Sequence, residues 1–376
     1  MTKEVKLLRE LIALPSVNPA FLPPHHALAG EGRVSDFLAA TAAAAGLDIH
    51  FQKVQQGRAN LLATLSPAGK ARQRILLAPH LDTVNIVSDK QLVPQRTNGR
   101  IYGRGSCDTK GSVAAMLAAL TSLAREGGRP SQTEIVFVGL VDEENAQIGS
   151  RALAASGFKA DLAIVGEPTR LKIVTAHKGS VWLRLETHGK AAHGSCPHLG
   201  KNAVHEMARV VEVLETGYAR QLRQKNHPLL GTATVSVGTI QGGSQPNIVP
   251  AACVIGVDRR TLPGETEFTA CRDARAVLRR HGLRATVTSD KSAECLPMET
   301  DPHLPLIQTF LRMSGQNKSS GVDYFCDASI LSHGGIPSIV FGPGDIAQAH
   351  TSDEWISENS LQTAASLLLK FFRSLP

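Results

Sequence analysis

Histidine and acidic side chains follow several apolar runs of this sequence, and their nitrogen and oxygen atoms are those that metal ions bind. His80 and Asp82 come directly after the run Ile75–Ala78. Side chains two positions apart on an extended backbone point to the same side, so one histidine nitrogen can bind a metal while the carboxylate holds the other ring N–H. A His-x-Asp pair is also common by chance, and this pair alone fits a purely structural role.

Two further groups of acidic residues lie in the same position relative to a predicted strand. The acidic run 142–144 follows the apolar run 134–141, and Glu167 follows 162–165. Adjacent carboxylates repel one another unless cations neutralise them or water screens them. The run 142–144 therefore fits either a solvated acidic loop or a site where one carboxylate binds a metal and its neighbour transfers protons.

The glycine-rich segment 103–112 precedes a predicted helix and can be compared with two phosphate-binding motifs. A P-loop needs Gly-Lys-Ser/Thr, whereas residues 110–112 read Lys-Gly-Ser, and the dinucleotide fingerprint needs a glycine where Asp108 stands. Both motifs are excluded. Asp108 in its glycine-flanked turn fits a helix N-cap as well as a ligand. His350 lies much later in the chain, in a second glycine-rich loop.

The elements that must position these residues alternate between extended and helical patterns. Buried strands are predicted at 75–78, 134–141, 162–165 and 338–341, and helices at 3–14, 32–45, 112–125, 304–314 and 360–375. Asn359 is the predicted N-cap of the last helix. Strands that alternate with helices predict an α/β sheet covered on both faces, and such sheets place their sites at the carboxyl ends of the strands.

The middle of the chain has a different pattern. Residues 181–187 alternate apolar and polar side chains, as in a sheet with one solvated face. The other elements predicted here are helices at 202–222 and 267–281 and strands at 232–240, 251–257 and 283–288. This β-α-β-β-α-β order predicts an inserted two-layer α+β unit. We therefore divide the chain into a first part at 1–178, an inserted domain at 179–290 and a returning part at 291–376.

Composition excludes several other classes of protein. With 42% hydrophobic residues in 376, the chain can bury the cores of two domains. Its net charge of +7 includes no block of five like charges, so the basic face of a nucleic-acid-binding protein is not expected. The chain start has no uninterrupted apolar signal segment, and polar residues, glycines and prolines break the longest uncharged run, 228–257. Six cysteines without a CxxC pair predict free thiols, and we expect a soluble, cytoplasmic protein with no membrane partner.

Eight segments give the chain a family resemblance. In order along the chain they are PHLDTV, GRGSCDTKG, VDEEN with the following GS, IVGEPT, GKAAHGS, GGSQPN, DRRTLPG and GPGDIAQAHTSDEW. With these segments the sequence resembles the acetylornithine deacetylase / succinyl-diaminopimelate desuccinylase / glutamate carboxypeptidase superfamily of two-zinc amidohydrolases. The resemblance implies a zinc-aminopeptidase-like α/β catalytic domain with helices on both faces of a mixed sheet. A smaller ferredoxin-like lid domain, which forms a homodimer in relatives, would interrupt it.

The resemblance also implies a role for each residue after the predicted strands. Asp108 would bridge two Zn²⁺ ions, for which Co²⁺ or Mn²⁺ can substitute. The remaining ligands would be His80 and Glu167 at one ion and Glu144 and His350 at the other. Asp82 would orient His80, and Glu143 would be the general base that activates a water or hydroxide bridging the two ions.

Three residues of the inserted domain are expected to contact substrate if the resemblance holds. His193 would donate to the oxyanion, typically in the site of the partner subunit, although its spacing alone indicates only a surface histidine. Asn247 would contact substrate. Arg260, rather than Arg259, would clamp a substrate carboxylate, because the family pattern Asp-x-Arg begins at Asp258.

The implied activity is hydrolysis of the amide bond of a small N-acyl amino acid, as in acetylornithine deacetylases. A metallo-carboxypeptidase or dipeptidase of the same superfamily is the alternative, and a non-catalytic binding protein is the third possibility. Cys326 stands where relatives often have Thr or Ser, which leaves substrate specificity open. A catalytic thiol at Cys326 or Cys107 is disfavoured, because no histidine is paired with either in the sequence.

Overall fold

The computed structural model describes residues 1–291 and 293–376. Its α-helices are α1 (Lys3–Ala13), α2 (Gly32–Ala43), α3 (Lys110–Arg125), α4 (Ile148–Ala155), α5 (Ala203–Val213), α6 (Ala219–Leu222), α7 (Glu267–Arg280), α8 (Pro305–Met313), α9 (Ala328–His333) and α10 (Glu358–Arg373). Its strands are β1 (Asp48–Gln55), β2 (Arg58–Leu65), β3 (Gln73–Ala78), β4 (Gln95–Thr97), β5 (Arg100–Tyr102), β6 (Thr133–Gly139), β7 (Leu162–Val165), β8 (Val174–His177), β9 (Gly179–His188), β10 (Asn226–His227), β11 (Gly231–Thr232), β12 (Thr234–Gly242), β13 (Ala252–Thr261), β14 (Thr286–Ser289), β15 (Met298–Glu299), β16 (Ser320–Val322), β17 (Ser338–Val340) and β18 (Trp355–Ser357).

The chain forms two compact units. The first contains residues 1–175, 300–320 and 326–376, and the second contains residues 176–299 and 321–325. The predicted inserted domain, 179–290, falls inside the second unit, and the segments 291–299 and 321–325 belong to that unit as well rather than to the returning part. Among the described residues, no helix combines the length and the hydropathy that crossing a bilayer requires.

A large mixed sheet forms the centre of the first unit. Its strand order is β1-β2-β6-β3-β7-β17, followed by the beginning of β8. The strands β6, β3, β7 and β17 run parallel, whereas β1 and β2 form an antiparallel hairpin at one edge. The mixed α/β fold is therefore confirmed. Because the central strands are parallel, their carboxyl ends meet at the same edge of the sheet.

Helices bury the apolar sides of this sheet. α3 packs against α1 and α10, and α10 packs against α8. Their inward side chains, such as Leu8, Leu117 and Phe371, are fully buried in one core. α4 and α9 form a separate pair through buried residues that include Leu153 and Leu331. The parallel strands are thus enclosed, as their nearly continuous apolar sequences require.

The second unit has its own sheet and core. Its antiparallel sheet has the strand order β12-β13-β9-β14, the ferredoxin-like order of a β-α-β-β-α-β unit. Along β9 every second side chain is buried, including Val181, Leu183 and Leu185. α5 and α7 supply the other side of this core. The second core forms without residues from the first.

Three local features differ from the sequence predictions. The hairpin β1–β2 has no counterpart among the predicted strands; β1 is largely exposed and mixes polar with apolar residues, whereas β2 is half buried. The predicted helix 202–222 is interrupted by a π-helical turn at Leu214–Tyr218. Buried residues there repeat every four positions, and the wider π turn keeps Leu214 and Tyr218 on the buried side. Asn359 is not the N-cap of α10; Ser357 is, and its hydroxyl accepts from Ser360 N at 3.4 Å.

Candidate metal centre

The loops that follow the parallel strands β3, β6 and β7 stay hydrogen-bonded to one another beyond the ends of these strands. Leu81 N donates to Leu140 O at 2.8 Å, and Leu140 N donates to Pro79 O at 3.0 Å. Gly166 N lies 3.4 Å from Ala78 O on the other side. These bonds place His80 between the acidic residues that follow β6 and Glu167, which follows β7.

Asp108 reaches the same edge from the turn before α3. The Asp108–Thr109 peptide bond is cis, and the Thr109 hydroxyl donates to Gly166 O at 2.5 Å. The N-cap position of α3 belongs to Thr109 rather than to Asp108. The Asp108 carboxylate is therefore not used as a cap, and it lies beside the loop that carries Glu167.

Two groups of potential ligands share Asp108. In the first group, His80 Nε2 lies 3.1 Å from Asp108 Oδ1 and 3.7 Å from Glu167 Oε1. In the second, His350 Nε2 lies 3.3 Å from Asp108 Oδ2 and 3.1 Å from Glu144 Oε2. The ligand atoms within each group all lie within 4.8 Å of one another. Since each Asp108 oxygen faces a different imidazole, the carboxylate has the geometry to bridge two cations.

The protonation of His80 follows from its contacts. His80 Nδ1 lies 3.0 Å from the backbone oxygen of Asp82, which can only accept a hydrogen bond. Nδ1 therefore carries a proton. Nε2 faces the carboxylates of Asp108 and Glu167, which also can only accept, so in the metal-free protein Nε2 is protonated as well. Although burial opposes the shift, hydrogen bonds with Asp108 and Asp82 raise the pKa of His80 well above its ordinary value, and a bound cation would take the place of the Nε2 proton. The carboxylate of Asp82 is farther from the ring, with Oδ1 at 3.4 Å from Nδ1. The shortest contact that orients His80 is thus the carbonyl, not the carboxylate that the sequence suggested.

The carboxylate of Asp82 holds the acidic loop instead. Its Oδ1 accepts from Glu143 N at 3.1 Å, and its Oδ2 accepts from Glu144 N at 3.1 Å. Asp82 itself is fully buried. One carboxylate consequently fixes the backbone of the predicted general base and that of a predicted ligand. The acidic run 142–144 is therefore not a solvated loop, because Asp142 is buried and both Glu143 and Glu144 are half-buried.

Burial and mutual repulsion shape the charges of the site. Burial, with the charges of Glu167 and Asp327, raises the pKa of Glu143 well above its ordinary value, although the charge of His80 opposes this shift. Burial and the charge of Asp108 likewise raise the pKa of Glu167 well above its ordinary value. Hydrogen bonds with Asp108 and Glu144 raise the pKa of His350 to about 10.

This arrangement fits a pair of divalent cations. The carboxylates outnumber the imidazoles. Burial, together with neighbouring negative charges, raises the pKa values of Glu143, Glu144 and Glu167, although the charge of His80 opposes all three shifts. Imidazole nitrogen and carboxylate oxygen are ligands that zinc accepts. A bound cation would favour the ionised carboxylates and reverse these shifts.

The sequence analysis missed a group of polar residues behind the acidic loop. Asn18 Nδ2 donates to Asp82 Oδ2 at 2.7 Å and to Asp142 Oδ1 at 3.0 Å. Arg58 pairs with Asp142 Oδ1 at 2.8 Å and with Glu31. Asp142 adopts a left-handed backbone, with φ of 72°, immediately before Glu143. The contacts of Asn18 and Arg58 hold this turn, but their sequence neighbourhoods carry no signal for it.

Asp327 is a second buried acid that was missed. Its Oδ1 accepts from the Ser150 hydroxyl at 2.5 Å, whereas Oδ2 finds no hydrogen-bond partner among the residues that the structure describes. Burial raises the pKa of Asp327 to about 7, although the Ser150 hydrogen bond opposes the shift. The neighbouring Cys326 is buried, and burial together with the charge of Glu167 raises the pKa of its thiol well above the ordinary value. Burial raises the pKa of Cys107 in the same way, so neither cysteine is an activated nucleophile.

Comparison with known proteins places the chain in a family. Residues 76–374 match the model of peptidase family M20/M25/M40. The chain belongs to this family. Its members are metal-dependent hydrolases, and the chain is therefore an enzyme of the hydrolase class. The matched range includes His80, the first predicted ligand, and His350, the last.

Individual relatives and solved structures agree with the M20 assignment. The chain is 30% identical over 353 residues to an acetylornithine deacetylase of Aliivibrio fischeri strain MJ11, and the match covers 91% of each chain. A tripeptidase from Staphylococcus aureus has a TM-score of 0.80 at 22% identity, with 99% of this chain and 97% of the tripeptidase covered. A dinuclear metal-binding peptidase of the M20 family from Bacillus subtilis has a TM-score of 0.71 at 12% identity, with 98% and 96% covered.

Two of the predicted substrate-binding residues of this M20 enzyme are neighbours in the second unit. His193 pairs with Ile248 in a β-bridge, and Gly194 N donates to Asn247 O at 2.7 Å. Both His193 and Asn247 are exposed. Ser195 N donates to His193 Nδ1 at 3.2 Å, which makes Nδ1 an acceptor. A neutral His193 ring therefore carries its proton on Nε2.

The adjacent arginines Arg259 and Arg260 lie on opposite faces of β13. Arg259 is buried, and its Nη2 contacts both Glu265 oxygens at 2.9 Å. Arg260 is about one third exposed, and its Nε lies 2.9 Å from Asp258 Oδ2. Arg259 is thus committed to an internal ion pair. Arg260 is also paired, with Asp258, but both members of this pair are partly exposed.

Proposed function

We propose that the protein is a two-metal amidohydrolase that removes a short acyl group from the amino nitrogen of a small amino acid. The observation that carries the proposal is the position of the Asp108 carboxylate, whose oxygens lie 3.1 Å from His80 Nε2 and 3.3 Å from His350 Nε2. Asp108 would hold both ions, with His80 and Glu167 at one and Glu144 and His350 at the other. Zinc is the ion we assign, with Co²⁺ or Mn²⁺ as substitutes.

When bound, the two ions would polarise the amide carbonyl and lower the pKa of a water molecule. Glu143 would receive the proton of that water. This assignment is supported by Asp82, whose carboxylate holds the backbone of Glu143 beside the proposed ligand Glu144. Its half-buried carboxylate would then deliver the proton to the leaving nitrogen. An enclosed general base of this kind holds a proton more readily than an exposed glutamate does.

Residues of the second unit would recognise the substrate. Arg260 is partly exposed, and its planar guanidinium can bind a substrate carboxylate through two hydrogen bonds. Asn247 lies on the loop beside His193 and would contact the same substrate. The Nε2 proton of His193 is available to a developing oxyanion. We further propose that the enzyme is a homodimer in which His193 serves the site of the partner.

The choice of a deacylase over a peptidase is supported by the 30% identity with an acetylornithine deacetylase over 91% of both chains. A peptidase that acts on short peptides is the alternative, because the fold also matches that of a tripeptidase with a TM-score of 0.80. Both activities use the same metal chemistry and a carboxylate anchor. The side chain and the acyl group of the substrate therefore have to be tested directly.

The decisive experiment compares kcat/KM on matched substrates with Zn²⁺-loaded and Co²⁺-loaded enzyme. The panel contains N-acetylornithine, N-succinyl-diaminopimelate, N-acetylated amino acids of other side chains, and di- and tripeptides. We expect the highest kcat/KM on a short-chain N-acyl amino acid, with little activity on its methyl ester, which lacks the anchoring charge. Activity on peptides alone would establish the alternative, and activity that survives thorough chelation would exclude both.

A further inference from the structure

Glu354 is a buried carboxylate at the end of the loop that carries His350, and no role follows for it from the M20 resemblance described above. Only 1% of its surface is exposed. Its Oε1 accepts from Cys107 N at 2.8 Å and from Asp108 N at 2.9 Å. Its Oε2 accepts from Gly105 N at 2.9 Å and from Arg104 Nη1 at 2.8 Å.

These bonds join two of the three chain segments that carry the second group of ligands, namely the Asp108 turn and the His350 loop. Glu354 lies four residues beyond His350 and contacts the backbone of Asp108 directly. The connection continues along the backbone, because Gly103 N donates to Glu354 O at 3.0 Å and Trp355 pairs with Tyr102. One side chain thus fixes the Asp108 turn relative to the His350 loop.

The Asp108 turn depends on this carboxylate for its shape. Gly103 and Gly105 have φ values of 147° and 80°, so the turn is neither helix nor strand. The amides of Gly105, Cys107 and Asp108 find their acceptor in Glu354 rather than in a neighbouring strand. Hydrogen bonds from backbone N–H groups to a carboxylate are short and strong, and an amide that loses its acceptor inside a protein is costly.

We propose that Glu354 is a positioning residue of the metal centre, which sets the Asp108 carboxylate at the distance from His350 that a shared ion requires. This inference rests on the proposed two-metal function. Glu354 touches neither ion nor substrate; it acts through the backbone of Asp108. Arg104 Nη1 lies 2.8 Å from Glu354 Oε2 and supplies a countercharge for the buried carboxylate.

The same C-terminal segment offers a matched control. Glu358 is also largely buried and also receives an arginine, with Arg96 Nε at 2.5 Å and Nη2 at 2.9 Å from its oxygens. Among the described residues, its side chain has no hydrogen bond or ion pair with the Asp108 turn. Glu358→Gln therefore removes an arginine–glutamate pair four residues away, more exposed on its arginine side, without touching the metal loops.

The test measures metal affinity rather than turnover. Wild type, Glu354→Gln, Glu354→Ala and Glu358→Gln are stripped of metal and titrated with Zn²⁺ in competition with a chromophoric chelator. Gln keeps the size of the side chain but can present only one oxygen, so one pair of donors meets an NH₂ group. We expect Glu354→Gln to weaken the binding of at least one ion by about 10–100-fold, and Glu358→Gln to leave both affinities within about twofold of wild type.

The absorption spectrum of the Co²⁺-loaded proteins gives a second measurement, since it reports ligand geometry. A shifted spectrum in folded Glu354→Gln, with a wild-type spectrum in Glu358→Gln, supports the proposal. Wild-type affinities and spectrum in Glu354→Gln, with only a lower Tm, would overturn it and leave Glu354 a structural residue. If wild type itself binds no divalent ion, the proposed function fails and the inference falls with it. If Glu354→Ala does not fold, the glutamine variant still decides.

Discussion

Asn18 and Asp82 are joined by a buried hydrogen bond of 2.7 Å although they are 64 positions apart in the sequence. The same Asn18 nitrogen donates to Asp142 at 3.0 Å, so a neutral amide separates two buried carboxylates. Asp82 in turn holds the backbone of Glu143 and Glu144. The position of the predicted general base therefore depends on an asparagine near the beginning of the chain.

Replacing Asn18 should damage both stability and turnover. Asn18→Ala removes the donor that both carboxylates share, and we expect a loss of about 1–3 kcal/mol in the free energy of unfolding. Asn18→Asp should cost more, because it places a third carboxylate beside the other two. Urea unfolding and kcat measure the two effects. Asn359→Ala, at an exposed helical position, is the control and should stay within about 0.5 kcal/mol of wild type; a similar effect of Asn18→Ala would contradict the prediction.

Glu143→Gln should separate proton transfer from metal binding. Glu143 lies outside both ligand groups, so the variant should retain wild-type metal content. Its kcat should fall by about 10²–10⁴-fold, the usual contribution of a general base. Glu144→Gln is the contrasting variant, because it alters a predicted ligand and should lose metal as well. Metal content and steady-state kcat of both variants provide the measurement. Near-normal turnover by Glu143→Gln would show that Glu143 is not the general base.

The stabilising effect of metal should grow with pH. Burial raises the pKa of Asp327 from 3.8 to about 7, and hydrogen bonds with Asp108 and Glu144 raise that of His350 from 6.5 to about 10. Raised values mean that the metal-free folded protein binds more protons than the unfolded chain. Each group therefore stabilises the metal-free protein fully at a pH below its ordinary pKa, and this contribution is lost as the pH rises. The contribution of Asp327 is lost between its ordinary pKa of 3.8 and about pH 7, and that of His350 between its ordinary pKa of 6.5 and about pH 10.

Metal binding reverses this trend, because the ligands must give up their protons to bind the ion. The difference in Tm between Zn²⁺-loaded and metal-stripped enzyme should therefore increase from about pH 5 to about pH 8. Burial lowers the pKa of Lys110 to about 7, so Lys110 makes stability rise with pH rather than fall. We expect this contribution to be the same in the Zn²⁺-loaded and the metal-stripped enzyme, so it cancels in the difference in Tm. Thermal scans of the two forms across this range provide the measurement. A difference that stays constant or shrinks would argue against coupled protonation and metal binding at this site.

The two adjacent arginines should respond differently to truncation. Arg259→Ala leaves Glu265 without its partner in the second unit, and we expect a loss of about 3–5 kcal/mol in stability. Arg260→Ala should leave Tm nearly unchanged and raise KM for a substrate with a free carboxylate. Comparing KM for the carboxylate substrate with that for its methyl ester isolates the anchor. Equal effects of Arg260→Ala on both substrates would exclude the clamp.

The sequence predicted the central strands and their ligand loops well, because buried parallel strands are short apolar runs and the acidic residues directly follow them. β7 was predicted at 162–165, the range that the structure has. The hairpin β1–β2 was missed because its edge strand β1 is largely exposed and has no such run, and the short apolar stretch of β2 was not recognised as its partner. The cap of α10 was misplaced by two residues, since Ser357 and Asn359 are both suitable N-caps and the backbone decides between them.

The side chains behind the site could not be predicted for a different reason. Asn18, Arg58 and Glu354 act through contacts with residues 64, 84 and 246 positions away. No local pattern marks such partners, because their roles depend on how distant loops pack. Asp82 illustrates the limit: period-two geometry placed it near His80, but only the structure shows that its backbone carbonyl, not its carboxylate, makes the shorter contact with the ring.

His350 is separated from the other four predicted ligands by the whole second unit, which has consequences during synthesis. Glu354, whose carboxylate holds the backbone of Asp108, lies still later in the chain. Both proposed ligand groups share Asp108, so neither can take its final geometry on the ribosome before the last residues of the chain have been made. If the proposed centre forms, we expect chains truncated before Glu354 to bind metal poorly at both positions.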